Sequence, residues 1–112
     1  MPIIGFMSVI KGILREEYDR LRALRKNYIS KIKVLPKGSL IVKKRGMRKY
    51  LYQSYRDERG KVVSLYLGLF NEINGDKISV IKSEIEQRKD LMKKYQSVGR
   101  QIKELERYVK GQ

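Results

Sequence analysis

The sequence predicts an α+β fold in which a long helix, a three-stranded antiparallel β-meander and a second long helix follow one another. Two observations lead to this prediction. Apolar residues recur at helical spacing on both sides of the middle of the chain. Between them, residues 39–68 alternate with a period of two and contain two glycine turns. The helices are expected to form an antiparallel coiled-coil-like hairpin, and residues 1–112 to form a single module.

The first helix is predicted over residues 8–35, with Ser8 as its N-cap. Pro2 and Gly5, which disfavour helix, precede it. Pro36 ends it, because the residue before a proline is disfavoured in the α region. The apolar stripe of this helix recurs at spacings of three, four or seven residues and comprises Met7, Leu14, Tyr18, Leu21, Tyr28, Ile32 and Leu35.

The strands of the predicted meander are joined by two tight, basic turns. Each turn contains a glycine, Gly46 or Gly60, which can take the positive φ that such turns require. The strands are expected at residues 39–44, 49–55 and 62–68.

The second helix is predicted over residues 76–110, with Asp76 as its N-cap and Gly111 just beyond its C-terminus. Its apolar stripe comprises Ile78, Ile81, Ile85, Leu91, Tyr95, Val98, Ile102, Leu105 and Val109. Two helices and three short strands bury little surface in a monomer. We therefore expect self-association to a dimer or higher oligomer through the helices.

Alternation along the strands predicts two chemically different faces of the sheet. The face expected to pack on the helices is apolar and comprises Leu40, Val42, Leu51, Val63, Leu65 and Leu67. The opposite face carries Tyr50, Tyr52 and Tyr66 together with Ser54 and Ser64. The basic residues expected along its edge are Lys43, Lys44, Arg45, Arg48, Lys49, Arg56, Arg59 and Lys61.

The tyrosines and their basic edge form the predicted nucleic-acid-binding site. Basic side chains can hold phosphates or enter the major groove of a duplex, and exposed aromatic rings can stack on unpaired bases. A second interpretation is that the tyrosines pair across strands for stability, and that the lysines protect a sheet edge from aggregation.

The net charge of +15 is densest on the predicted sheet. Residues 36–68 contain nine basic and two acidic residues, whereas residues 69–112 contain ten and seven. A concentrated positive charge attracts polyanions, and we expect the partner to be DNA, with RNA as an alternative.

The chain contains no cysteine and no histidine. Zinc sites built from these residues, thiol nucleophiles and histidine acid–base catalysis are thereby excluded. The acidic residues fall in one predicted turn or on helix faces mixed with Lys and Arg, a pattern typical of solvated faces. The sequence therefore predicts no enzyme, no metal site and no cofactor.

The apolar start of the chain, residues 1–10, lacks the basic region and cleavage site of a signal peptide and is too short to span a bilayer. The absence of cysteine gives no indication of an oxidising compartment. We expect a cytoplasmic protein that does not bind membranes. Anchoring of residues 1–14 in a membrane surface is the alternative.

Residues 50–68 contain an aromatic strand ending in Ser54-Tyr55-Arg56, a Gly60-Lys61 turn and a strand ending in Tyr66-Leu67-Gly68. This pattern resembles the tyrosine-rich hairpin near the start of some bacterial and archaeal insertion-sequence transposases. The whole chain also resembles small prokaryotic proteins of mobile-element context, and three strands followed by a helix are similar to the arm-binding domain of tyrosine integrases. The resemblance implies contact with DNA. The transposase carboxylate triad has no counterpart in this sequence, so strand transfer is not implied.

The leading hypothesis is a non-catalytic DNA-binding protein that oligomerises through its helices and contacts DNA through the tyrosine-rich sheet. The alternative is a coiled-coil adaptor or assembly protein that binds an acidic protein and uses the sheet as a folding cap. Binding should follow the sheet in the first case and the helices in the second.

Overall fold

The computed structural model describes residues 2–73 and 75–109, with the backbone alone for residues 2–4 and 6. The elements are α1 (Pro2–Lys33), β1 (Ser39–Arg45), β2 (Arg48–Arg56), β3 (Val62–Leu69) and α2 (Gly75–Val109). The predicted order of a helix, a three-stranded antiparallel meander and a helix is confirmed, and the strand bounds differ from the predicted ones by at most one residue.

Helix α1 begins at Pro2, six residues before the predicted start. Proline is tolerated in the first helical turn because that turn has no partner for the missing N–H. Gly5 and Ser8 therefore lie inside the helix, and the prediction of Ser8 as N-cap is wrong. At its other end, α1 stops at Lys33, where Lys31 and Lys33 interact favourably with the helix dipole.

Helix α2 begins at Gly75 and runs to Val109. Asp76 lies in its first turn, so the prediction of Asp76 as N-cap is off by at least one residue. The negative carboxylate still interacts favourably with the N-terminal end of the helix dipole. The predicted end at Lys110 and the C-terminal Gly111 lie outside the described residues.

The chain divides into two compact units. The helical unit comprises residues 1–34 and 90–112, and the sheet unit comprises residues 35–89. Helix α2 contributes its first part to the sheet unit and its second part to the helical unit. That the two units act as a single module stays a prediction.

The helical unit is held together by an apolar cluster between α1 and the second part of α2. Its buried members are Tyr18, Leu21, Val98 and Ile102, and Leu24, Tyr28, Leu105 and Val109 pack against them. The Tyr18 hydroxyl donates a hydrogen bond to Glu106 Oε1 at 3.2 Å, so the polar end of this buried ring has a partner. All of these apolar residues except Leu24 belong to the predicted stripes, and the antiparallel helix hairpin is confirmed.

The sheet has the strand order β1-β2-β3 with antiparallel pairing throughout. A two-residue turn of Gly46 and Met47 joins β1 to β2. Its positive φ of 62° falls on the first turn position, which is the type II′ pattern that matches the twist of a hairpin. In the turn between β2 and β3, Asp57 Oδ1 accepts hydrogen bonds from the backbone N–H groups of Arg59 and Lys61, each at 2.9 Å.

The strand register defines two faces. Residues paired across strands point to the same side, and neighbours along a strand point to opposite sides. We call one side the tyrosine face; it comprises Ser39, Ile41, Lys43, Arg45, Arg48, Tyr50, Tyr52, Ser54, Arg56, Val62, Ser64, Tyr66 and Leu69. The other side, the apolar face, comprises Leu40, Val42, Lys44, Lys49, Leu51, Gln53, Tyr55, Val63 and Leu65.

The apolar face is covered less fully than the sequence predicts. Leu51 is buried, with 1% of its surface exposed, whereas Val42 and Leu65 are each 45% exposed. Leu67 and Leu51 line a groove of about 430 Å³ together with residues at the start of α2, among them Ile81. The predicted packing of this face is thus confirmed at Leu51, and Val42 and Leu65 lie at its open margin.

No helix in the described ranges, 2–73 and 75–109, is both long and apolar enough to cross a membrane.

Candidate nucleic-acid interface

Three tyrosines form a cluster at the middle of the tyrosine face. Tyr50 and Tyr52 are two positions apart on β2 and therefore point to the same side, and Tyr66 of β3 lies directly opposite Tyr52. The centroid of the Tyr66 ring is 5.5 Å from that of Tyr52 and 6.1 Å from that of Tyr50, with interplanar angles of 55° and 53°. These are the tilted contacts that aromatic rings favour, and they hold the cluster together.

A β-bulge in β3 lies beside this cluster. Tyr66 pairs with Tyr52, but Gly68 pairs with Leu51, so Leu67 is the extra residue. Gly68 has a φ of 142°, a backbone conformation that favours glycine. A bulge increases local twist and redirects the neighbouring side chains. It therefore allows Tyr66 to contact both tyrosines of β2.

Basic side chains lie directly against the tyrosine cluster. Lys43 pairs with Tyr50 across the strands, and its Nζ lies 4.6 Å from the centroid of the Tyr52 ring, a cation–π contact. Arg45 shares an open hollow of about 410 Å³ with the three rings. Arg48 pairs with Arg45 next to the turn.

The hairpin of β1 and β2 places like charges opposite each other. Lys44 pairs with Lys49, and Arg45 pairs with Arg48. Such pairs are destabilising, and the three strands contain no acidic residue that could offset them. In the described part of the chain, all ion pairs lie on the helices. The positive charge of the hairpin is therefore not neutralised within the sheet.

The remaining predicted basic residues lie at the other end of the sheet. Arg56 belongs to the tyrosine face, and its Nη1 donates a hydrogen bond to the carbonyl oxygen of Gly60 at 2.8 Å. Arg59 and Lys61 are exposed in the turn between β2 and β3. Arg48 and Arg56, at the two ends of β2, are about 26 Å apart at the usual strand rise. The tyrosines thus lie between two basic regions.

Two predicted site residues lie on the other face. Lys44 and Lys49 point to the apolar side, because each is one position out of phase with the tyrosine-face residues on its strand. The prediction that they edge the tyrosines is therefore wrong. Conversely, Ile41 pairs with Tyr52 on the tyrosine face, although the predicted face does not include it. The two-residue period of β1 could have predicted this position, because Ile41 is two residues from Lys43 and therefore points to the same side.

In the part of the chain that the structure describes, the acidic residues do not assemble into a metal site. In residues 2–73 and 75–109, no group of three or more acidic side chains could hold a metal ion. Among the described residues, Glu17, Asp19, Glu86 and Asp90 each form an ion pair with a Lys or Arg three or four positions away on the same helix.

No family model, no curated protein and no solved structure matches the chain. The resemblance of residues 50–68 to the hairpin of insertion-sequence transposases therefore stays a prediction.

Proposed function

We propose that the protein is a non-catalytic DNA-binding protein whose tyrosine face contacts the nucleic acid. The observation that carries this proposal is that basic side chains share a face with the tyrosines. Lys43, Arg45 and Arg48 lie on the tyrosine face, and the three strands contain no acidic residue. These cations form no ion pair with any described residue. A protein surface that combines rings with such cations offers both contacts that DNA needs, one for its bases and one for its phosphates.

The like-charge pair on the tyrosine face supports the same proposal. Repulsion between Arg45 and Arg48 lowers the stability of the free protein. Local features that reduce stability without another structural benefit are common at functional sites. A bound phosphate chain would relieve this repulsion and release counterions from the DNA. The resemblance to the transposase hairpin also favours DNA, and RNA is the alternative ligand.

Salt-dependent binding of a labelled duplex and a labelled single strand tests the proposal. We expect the triple variant K43A/R45A/R48A to bind DNA more weakly than the wild type between about 50 and 200 mM salt. The slope of log affinity against log salt concentration should fall by up to about 2.7 on duplex, at about 0.9 for each phosphate that the variant no longer neutralises.

The matched control removes the same charges from the helical unit. Arg100, Lys103 and Arg107 are exposed residues of α2, so the triple variant R100A/K103A/R107A loses the same net charge and the same residue types. If both triple variants lose affinity and slope equally, binding reflects net charge alone and the proposed interface is wrong. Unchanged binding by the sheet variant would contradict the proposal directly.

The self-association through the helices that belongs to this proposal is favoured by exposed apolar residues on α1. Val9 and Ile13 are 60% and 58% exposed and lie four positions apart on one side of the helix. We propose that this row joins helices of different chains, so that oligomerisation sets the spacing of the sheets. The variant V9D/I13D should then lower the molecular mass measured by sedimentation equilibrium. An unchanged mass would contradict this role of the row.

A further inference from the structure

We infer that the tyrosine face selects single-stranded DNA, by stacking unpaired bases on its tyrosine cluster. This inference rests on the proposed function and adds the class of nucleic acid to it. It is carried by the position of the rings at the centre of the face and of the cations around them.

The cluster is open on its outer side. Tyr66 is 56% exposed, although it contacts both other tyrosines. The hollow of about 410 Å³ is bounded by the three rings and Arg45. An exposed ring can stack with an unpaired base of any sequence, because every base has a π face. In a duplex those faces are already stacked on neighbouring base pairs, so duplex DNA cannot use the rings in this way.

The three rings do not have equal access to a ligand. The ammonium group of Lys43 lies 4.6 Å from the centroid of the Tyr52 ring and therefore covers one side of it. Tyr50 and Tyr52 are partly buried, whereas Tyr66 is exposed. Tyr66 is therefore the principal stacking residue, and its two neighbours fix its orientation.

The charges around the hollow decide which aromatic-binding ligand fits. Aromatic cages also recognise quaternary ammonium groups. In this protein, however, Lys43 and Arg45 adjoin the rings and the strands contain no acidic residue, so a cationic ligand is repelled. A ligand that is both aromatic and negatively charged is attracted by the rings and the cations together. A nucleotide has both properties.

The distribution of polar groups disfavours sequence reading in a duplex. Groove readers place Arg, Asn or Gln where they can reach base edges. On this face Tyr50, Tyr52 and Tyr66 occupy the centre, while Arg48 and Arg56 lie at opposite ends of β2. A single strand can run between those ends with its phosphates near the arginines and its bases on the rings.

The test compares four labelled probes of equal length, about 16 nucleotides, which covers the usual site size of one small single-strand-binding fold. The probes are a thymine single strand, a chain of the same phosphates and sugars without bases, a duplex, and a uracil RNA strand. We expect the wild type to bind the thymine strand more tightly than the baseless chain and the duplex. The uracil strand tests DNA against RNA, because the rings can stack on unpaired bases of either.

The variant Y66A should weaken binding of the thymine strand by about 5- to 150-fold and leave the baseless chain and the duplex unchanged. Y66F, which keeps the ring, should bind as the wild type does. The control Y108A removes a tyrosine of comparable exposure, 54%, from the helical unit and should bind all probes normally.

Tyrosine fluorescence gives a second readout, because the chain contains eight tyrosines and no tryptophan. The thymine strand should quench the emission of the wild type, and the quenching should be smaller in Y66F although its affinity is kept. A purely structural role of Tyr66 would not produce this separation of quenching from affinity.

The outcomes separate the inference from the proposed function. If the wild type binds none of the probes, the proposed function is wrong and the inference falls with it. If it binds the duplex or the baseless chain as tightly as the thymine strand, or if Y66A weakens all probes equally, DNA binding stands and the stacking inference is overturned. Tighter binding of the uracil strand would overturn the assignment to DNA.

Discussion

The two units of the molecule use tyrosine in opposite ways. In the helical unit, Tyr18 is 2% exposed, and its hydroxyl donates to Glu106. In the sheet unit, Tyr66 lies on the surface with two other rings and has more than half of its area exposed. Burial makes the first tyrosine part of a core. The second leaves its apolar area in water, which stabilises the fold little and leaves the ring accessible to a ligand.

The charged residues of the helices and of the strands also differ in how they are paired. On α1, the guanidinium of Arg20 contacts Glu17 at 2.6 Å, and on α2 Lys94 contacts Asp90 at 3.2 Å. In the strands, Arg45 instead faces Arg48. The helices therefore place opposite charges together, as stability requires, whereas the hairpin places like charges together. The surface suited to binding thus carries a repulsive charge pair where the helices carry attractive ones.

The largest effect expected from this comparison concerns the apolar cluster. Replacing Ile102, which is 2% exposed, by alanine should lower the free energy of unfolding by about 2–5 kcal/mol, because a cavity remains in the helical unit. The control L65A, at a position 45% exposed on the apolar face, should cost less than half as much. Urea unfolding followed by circular dichroism measures both. Equal losses of unfolding free energy in I102A and L65A would show that the cluster of the helical unit does not stabilise the protein more than the weakly covered apolar face does.

The next effect concerns the entry of the chain into the sheet. Gly38 has a φ of 88°, and a Cβ atom there would overlap the carbonyl oxygen of Ser54 and lie 2.8 Å from Cβ of Tyr55. We expect G38A to lower the free energy of unfolding by more than about 2 kcal/mol, since backbone strain and a collision with β2 add together.

The control for this prediction is the turn glycine Gly46. Its φ is 62°, but a Cβ atom there would meet no other atom within 4 Å. G46A should therefore show the cost of the left-handed conformation alone, about 1–2 kcal/mol. If thermal melts show the same loss for G38A and G46A, the segment before β1 is not packed closely against β2.

These elements also show what the sequence can and cannot predict. The helical core follows from the spacing of apolar residues, and the cluster of Tyr18, Leu21, Val98 and Ile102 is drawn from the predicted stripes. The tyrosine face follows from alternation in the same way, since a two-residue period places Tyr50 and Tyr52 on one side of β2.

What alternation could not predict depends on contacts between distant residues or on competing local preferences. The extra residue Leu67 changes the register beside Tyr66, and no local signal fixes which residue of β3 is left unpaired. The coverage of Val42 and Leu65 depends on how other segments lie, not on the strand itself. At the start of α1, the helix continues through Gly5, a residue that local preference alone places outside a helix.

A smaller effect tests the like-charge pairs. Both K44E and R48E convert a repulsive cross-strand pair into an attractive one, so each should raise the free energy of unfolding of the free protein by about 0.2–1 kcal/mol. Their effects on DNA affinity should differ. Arg48 belongs to the tyrosine face and Lys44 to the apolar face, so R48E should reduce affinity far more than K44E. Fluorescence anisotropy with labelled DNA measures this difference, and equal losses would remove the assignment of binding to one face.

The smallest effect concerns an exposed ion pair on α1. The pH dependence of stability measures whether this attractive pair of the helical unit stabilises the protein. The hydrogen bonds that Arg20 donates to the Glu17 carboxylate, at 2.9 Å and 2.6 Å, together with the attraction between the charges, lower the pKa of Glu17 below its ordinary value. The same hydrogen bonds raise the pKa of Arg20.

The pKa of Glu17 is lower in the folded protein than in the unfolded chain. The contribution of Glu17 to stability is therefore present above the ordinary glutamate pKa and is lost as pH falls through the folded value. The stability difference between the wild type and E17Q should therefore be present at neutral pH, vanish in acid and shrink with added salt. Carboxyl titration by NMR should show the lowered pKa in the wild type and a value closer to the ordinary one in R20A. An unshifted pKa in the wild type would mean that this pair, unlike the repulsive pairs of the hairpin, has no measurable energetic role.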